Sequence, residues 1–352
     1  MMIMNENKYY YQLDILKGLA IISVIILHTI PIYLIKTPII VFSILTAVPV
    51  FFFIMGLNSS MSFRRKNYFE LDQLYSKSYF KGRFKRLIIP FIIIFFISLI
   101  LGILLNKTIY LGLMIFIGYL PLTGPGNYFI SIVFQFVIIF PLLYYIYQKN
   151  PKLILILSFI LSLLFELFAN NISILMNNSF LYASSILRYL FIIVLGIWAS
   201  ENFRIDNFGS LIRKNFVILG LFMSITYLIM VSIFKYNLMI FQQAWQPQIV
   251  ISFFYPFILC TFALSYLPSN SLNKVSQIIG SLGRASYHIF LVQILFFGSG
   301  ISFYKFFIYL GLLNSLSWHL IVIIILIINI IISTVLGYLF YLFDKRIIQS
   351  KF

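Results

Sequence analysis

The sequence predicts an all-α fold: a polytopic membrane helix bundle of about ten transmembrane helices, with both termini cytoplasmic. Three observations carry this. The chain of 352 residues is 62% hydrophobic and only 9% charged, with a mean hydropathy of +1.04; a soluble domain typically carries about 25% charged residues. Apolar windows of about 20 residues, the length a helix needs to cross the hydrocarbon core, recur along the chain. The basic residues alternate between connections as orientation in a bilayer requires. Residues 1–352 read as one integral-membrane domain.

The ten spans lie near 14–35, 39–61, 87–105, 128–148, 153–170, 182–200, 215–234, 248–268, 285–304 and 318–343. The first apolar run lacks a small-residue cleavage site and is too long for a signal peptide, so it reads as a retained helix. With the N-terminus inside, twenty of the 25 lysines and arginines fall in inner segments. Four fall in outer ones (Lys36, Lys107, Lys235 and Lys305), and Arg188 lies within a span. That asymmetry predicts N-inside, C-inside and an even count, as expected of a multi-pass plasma-membrane protein. Residues 109–120 are apolar but short for a span, and Pro121-Leu-Thr-Gly-Pro-Gly-Asn127 follows. The segment 109–127 is expected to be re-entrant or interfacial, beside an outer cavity.

Composition also excludes some function classes. The net charge of +17 is distributed between spans rather than pooled in one patch, so no nucleic-acid partner is expected. Cys260 is the single cysteine and sits in an apolar run, where it reads as packing. His28, His288 and His319 lack metal-ligand spacing, and no metal is expected.

The candidate chemistry begins in the first span. His28 lies 14 residues beyond Asp14, about 21 Å at 1.5 Å per residue, which puts it in the outer half of the membrane. Lys17 and His28 are close to three turns apart and share a helix face, with Asp14 about 40° away. An imidazole in such a span is either an interhelical hydrogen-bonding group or a general base for a hydroxyl. In the inner loop, Arg83, Lys85 and Arg86 open a helix, where two guanidinium forks and a helix N-terminus suit phosphate; ordinary positive-inside anchoring explains them equally well. Glu166 and Arg188, on neighbouring antiparallel spans, read first as an ion pair and second as substrate contacts. Gln293 reads as a polar group lining a cavity. His288 and His319 read as interfacial and non-catalytic.

Taken in order, these pieces resemble the membrane-bound acyltransferase family 3, whose members include acyltransferases of bacterial surface polysaccharides. The resemblance rests on Leu13-Asp14-Ile-Leu-Lys17-Gly18-Leu-Ala20 with His28, and on Phe51-Phe52-Phe53-Ile-Met55-Gly56. It also rests on Arg83-Phe-Lys-Arg86 before Pro90, and on Gly283-Arg-Ala-Ser286-Tyr287-His-Ile-Phe290-Leu-Val-Gln293. The chain departs from the pattern at Lys17, where arginine is common, at Met55, where serine is usual, and at Gln293, where many members have histidine.

The resemblance implies an O-acetyltransferase-like enzyme that uses acyl-CoA, acetyl-CoA being expected, and no metal. The acceptor would be a hydroxyl of a cell-surface glycan or related molecule. Arg83, Lys85, Arg86 and Lys17 would bind the donor, and His28 would be the base. Asp14, Glu166, Arg188 and Gln293 would be substrate-binding or structural. A proton-coupled transporter or polysaccharide flippase is the competing expectation, since buried charges also suit transport.

Overall fold

A computed structural model describes residues 9–270, 273–300 and 318–348. Lys8, Lys305 and Lys351, which enter the charge count above, lie outside the described residues, as do residues 301–304 of the ninth expected span. No strand occurs among the described residues, as expected where backbone groups in lipid must be satisfied within their own segment.

The helical runs are α1 (Tyr11–Thr29), α2 (Ile40–Arg65), α3 (Leu71–Leu104), α4 (Tyr128–Lys149), α5 (Pro151–Asn171), α6 (Ser179–Asn202), α7 (Asn215–Ser232) and α8 (Gln243–Tyr266). They are followed by α9 (Lys274–Arg284), α10 (Ser286–Gly298) and α11 (Leu320–Arg346). Nine of the described helices are long and apolar enough to cross a membrane, and ten if α9 and α10 count as one span. Nine of the ten expected spans have a single-helix counterpart, and the expected span 285–304 falls on the bent pair. α2, α4 and α6 pack through aromatic rings: Phe52 lies 5.1 Å from Phe129 and 4.5 Å from Tyr189, centre to centre. α3 and α5 instead show long apolar side chains such as Ile100 and Ile156 on the outside of the bundle.

The ninth span is not one straight helix. α9 and α10 meet at 72°. The polar side chains Lys274, Gln277, Ser281 and Arg284 make α9 unsuited to crossing lipid, and it lies across α1 instead. The crossing is backbone on backbone. A Cβ at Gly18 would stand 2.1 Å from the Ile279 carbonyl oxygen, and one at Gly283 only 1.7 Å from that of Asp14. Tyr11 Oη closes the contact by donating to the Ser276 carbonyl at 2.6 Å.

α3 begins well before the expected start at residue 87. Lys77–Arg83 is already helical, Phe84–Ile88 forms a π turn, and Ile89–Leu104 continues it. Arg83 and Arg86 therefore do not open a helix, and the expected contribution of a helix N-terminus is withdrawn. The π turn that carries Arg86 widens the helix there, so the two side chains project at a different relative angle than in a regular α-helix.

The segment 109–127 divides in two. Leu113–Ile117 is a short 3-10 turn, and Leu111, Leu113 and Phe116 are exposed. Leu120 and Leu122 are buried, and Ser98 Oγ accepts from the Leu122 amide at 2.8 Å. Its first half is a surface segment and its second half re-enters the bundle beside the start of α4, in line with expectation.

Replacing Gly283 by valine forces α1 and α9 apart. Overpacking of this kind costs about 1–3 kcal/mol, so Gly283→Val is expected to lower the thermal midpoint of the detergent-solubilised protein by several degrees, read by the loss of the monodisperse peak on heating.

Candidate active site

Two cavities lie at opposite ends of α1. The first, about 460 Å³, opens at the end where α1 and α3 start and α2 finishes. Its wall carries five basic side chains (Lys17, Arg65, Lys66, Arg83 and Arg86) and one carboxylate, Asp14. Lys17, Arg83 and Arg86, singled out in sequence, thus share one wall, while Lys85 is not part of it. Arg83 Nη2 donates to Ser59 Oγ at 2.7 Å, and its guanidinium stands 5.3 Å from the centre of the Tyr79 ring. Arg86 is exposed. An anionic group entering here would meet Arg86 first and Arg83 deeper in.

Asp14 organises the floor. It is buried, at 4% exposure, with Lys17 Nζ 2.6 Å and Arg284 Nη1 3.8 Å from its oxygens. Tyr9 Oη also donates to it. Partial burial, and then the neighbouring carboxylate, push the Tyr9 phenol up to about 12, so it stays a neutral donor. Sequence reading missed Tyr9 and Arg284 as partners of Asp14. Arg284 is 270 residues away in the chain, and only the α1–α9 crossing brings it near.

His28 lies eleven residues further along α1, about 16 Å from Lys17. Its ring stands edge-on to Phe297, 6.1 Å between centres. Gln293, on α10, is fully buried. Its Nε2 donates to the Pro125 carbonyl at 3.4 Å, while its Oε1 has no hydrogen-bond partner among the described residues. Gly126, in the re-entrant turn, has φ +90° and lies close to both side chains. A Cβ there would stand 3.4 Å from His28 Nε2 and 3.3 Å from Gln293 Nε2. A second cavity, about 310 Å³, lies over this turn and includes Thr123–Tyr128, Phe180 and Trp245 in its wall.

Glu166 and Arg188 form the ion pair that sequence favoured. Both side chains are fully buried, with Arg188 Nε 3.2 Å from Glu166 Oε1, and Tyr182 Oη donates to the other carboxylate oxygen. The guanidinium sits 4.6, 5.1 and 4.5 Å from the ring centres of Tyr182, Tyr189 and Trp245. These rings supply much of the solvation that water would give.

His288, expected near the membrane interface, has a partner inside the bundle. It is buried, at 5% exposure, and its Nε2 lies 2.9 Å from the equally buried Asp344 carboxylate, tying α10 to α11. The carboxylate partner, 56 residues on, drew no notice in sequence. The side chain of His319 lies outside the described residues.

An apolar helical shell, a basic cavity at one end, and a half-buried imidazole and a buried carboxamide near the other define a polytopic membrane protein with an internal polar site. The chain belongs to acyltransferase family 3: the family's acyltransferase domain matches residues 10–338, nearly the whole chain. It is a membrane acyltransferase. No curated protein and no solved structure matches it.

Breaking a buried ion pair costs about 3–5 kcal/mol, because the remaining charge is stranded. Glu166→Leu should therefore strongly reduce the folded fraction. Glu166→Leu combined with Arg188→Met should lose less than the two single losses together, as read by thermal unfolding of all four proteins.

Proposed function

We propose that the enzyme moves an acyl group, acetyl being expected, from cytoplasmic acyl-CoA to a hydroxyl of a cell-surface glycan or related acceptor, with His28 as general base. The observation that carries this is the geometry of α1. It holds Lys17 in the wall of the basic cavity and His28 about 16 Å further along the same helix. That separation suits a long donor with its phosphates at one end and its thioester at the other.

On this reading the basic end faces the cytoplasm, as the lysine and arginine asymmetry favours, in a plasma-membrane protein with both termini inside. Arg83, Arg86 and Lys17 hold the nucleotide phosphates by charge and hydrogen bonds, and Lys85 adds charge at the rim. His28 Nε2 takes the proton of the acceptor hydroxyl as its oxygen attacks the thioester carbonyl. A C–O bond forms, the C–S bond breaks, and the proton passes from His28 to the departing thiolate, giving the ester and free CoA. Acyltransferase family membership favours transfer over transport, and Glu166 and Arg188 are engaged with each other rather than open to a transported proton.

His28→Ala should cut acyl transfer by about 100-fold or more, as loss of a general base does, with folding and membrane insertion intact. The check is labelled acetyl-CoA with purified envelope as acceptor; full transfer by a folded His28→Ala protein would remove the base. Arg83→Ala should weaken CoA binding about tenfold, the cost of a charge-assisted hydrogen bond to phosphate, in titration calorimetry. Unchanged affinity would return Arg83 to membrane anchoring.

A further inference from the structure

Pro141 lies inside α4 and is buried there. A proline within a helix has no N–H to give, so the carbonyl four residues back loses its partner, and the ring crowds that carbonyl away. In α4 the carbonyl belongs to Val137. Inside a membrane bundle a freed carbonyl is tolerated when a neighbouring helix answers it. Here the answer comes from α3. Tyr79 Oη donates to the Val137 carbonyl at 2.9 Å, and Tyr75 Oη donates to the next carbonyl, that of Ile138, at 2.8 Å. Both phenols come from the start of α3 and reach α4 at the place that Pro141 opens.

Tyr79 also belongs to the wall of the basic cavity, and it is buried. Arg83 follows it by one turn of the Lys77–Arg83 helix, so the two side chains are neighbours on one face. The guanidinium stands 5.3 Å from the centre of the Tyr79 ring, within the range of attraction between a cation and an aromatic face. The ring is held in turn. Phe63 of α2 packs against it at 5.2 Å and against Phe140 at 5.5 Å, centre to centre, so the residue before Pro141 closes the same cluster. With its hydroxyl tied to α4 and Phe63 beside it, the Tyr79 ring is a fixed plate next to Arg83. A run of contacts therefore leads from Pro141, which is not part of the cavity wall, to a guanidinium that is.

The geometry points to Pro141 and Tyr79 as positioning residues for the acyl donor: the proline frees the Val137 carbonyl, the carbonyl fixes the Tyr79 phenol, and the ring holds Arg83 ready for a donor phosphate. A long side chain that a ligand must order loses rotamer freedom on binding, and one held beforehand loses less. The inference rests on the donor site of the proposed function and names what keeps that site formed when it is empty. It also separates two quantities that usually move together. A proline inside a helix costs that helix stability, so removing Pro141 favours the helix while it unties the donor site.

The test uses the full-length protein in lipid nanodiscs. It reads CoA binding by titration calorimetry and transfer from labelled acetyl-CoA to purified envelope. Pro141→Ala supplies an N–H that takes the Val137 carbonyl from Tyr79. It is expected to raise the Kd for CoA and the KM for acetyl-CoA about fivefold, the scale of ordering one long side chain on binding. Meanwhile kcat should stay within about twofold and the thermal midpoint should not fall. Weaker donor binding in a protein no less stable is a result that a purely structural proline does not give. Tyr79→Phe keeps the ring, removes only the hydroxyl, and should raise Kd and KM by a similar factor. The double variant should bind no worse than the weaker single one, because both changes break one link; independent losses would multiply to about 25-fold and overturn the proposal. Wild-type CoA affinity in Pro141→Ala and Tyr79→Phe, beside an impaired Arg83→Ala, overturns the positioning role and leaves the donor site. An unimpaired Arg83→Ala removes the donor site itself.

Discussion

The interaction on which the polar interior depends is the crossing of α1 and α9. Gly18 and Gly283 bring the two backbones into contact, and that contact fixes where Asp14 sits. Asp14 then gathers Lys17, Arg284 and Tyr9 around one buried carboxylate. A carboxylate in this position is tolerated only because cations and a phenol surround it. The basic wall of the nearby cavity has two supports: Lys17 is anchored by Asp14, while Arg83, on α3, is held by Ser59 of α2 and by Tyr79.

The same requirement, that polar groups below the membrane surface be answered within the protein, orders the rest of the bundle. Arg188 is met by Glu166 and three aromatic rings, His288 by Asp344, and the Leu122 amide by Ser98. The answer is incomplete at several buried atoms among the described residues, Arg188 Nη1, His288 Nδ1, Gln293 Oε1 and both carboxamide atoms of Asn127 included, and Asn127 stands in the wall of the second cavity. Two polar regions at opposite ends of one straight helix give the bundle a length scale, set by the 1.5 Å rise per residue of α1.

Much of the candidate site was legible from residue type and local spacing. His28 was conspicuous as an imidazole within an apolar run, and Lys17 followed from the helical period. Arg83 and Arg86 stood out by their spacing, although their setting was misread, because a π turn leaves no mark in hydropathy. Glu166 and Arg188 could be paired because consecutive spans run antiparallel. Gly126 was visible only as part of a turn. Its nearness to His28 and Gln293 joins α1, the segment before α4 and α10, which no sequence period connects. Arg284 and Asp344 escaped notice for the same reason: each looks like an ordinary surface charge until a helix crossing or docking buries its partner.

The sequence by itself determined the all-helical class, the number and approximate limits of the spans and the resemblance to an acyltransferase family. Hydrophobic length and period are local properties, and a bilayer reads them directly. Tertiary structure alone decided that the ninth span bends by 72°, that the basic residues close around a cavity with Asp14 in its wall, and that His28 and Gln293 both approach Gly126. These depend on which helices touch and at what angle, and close packing between segments far apart in the chain sets both.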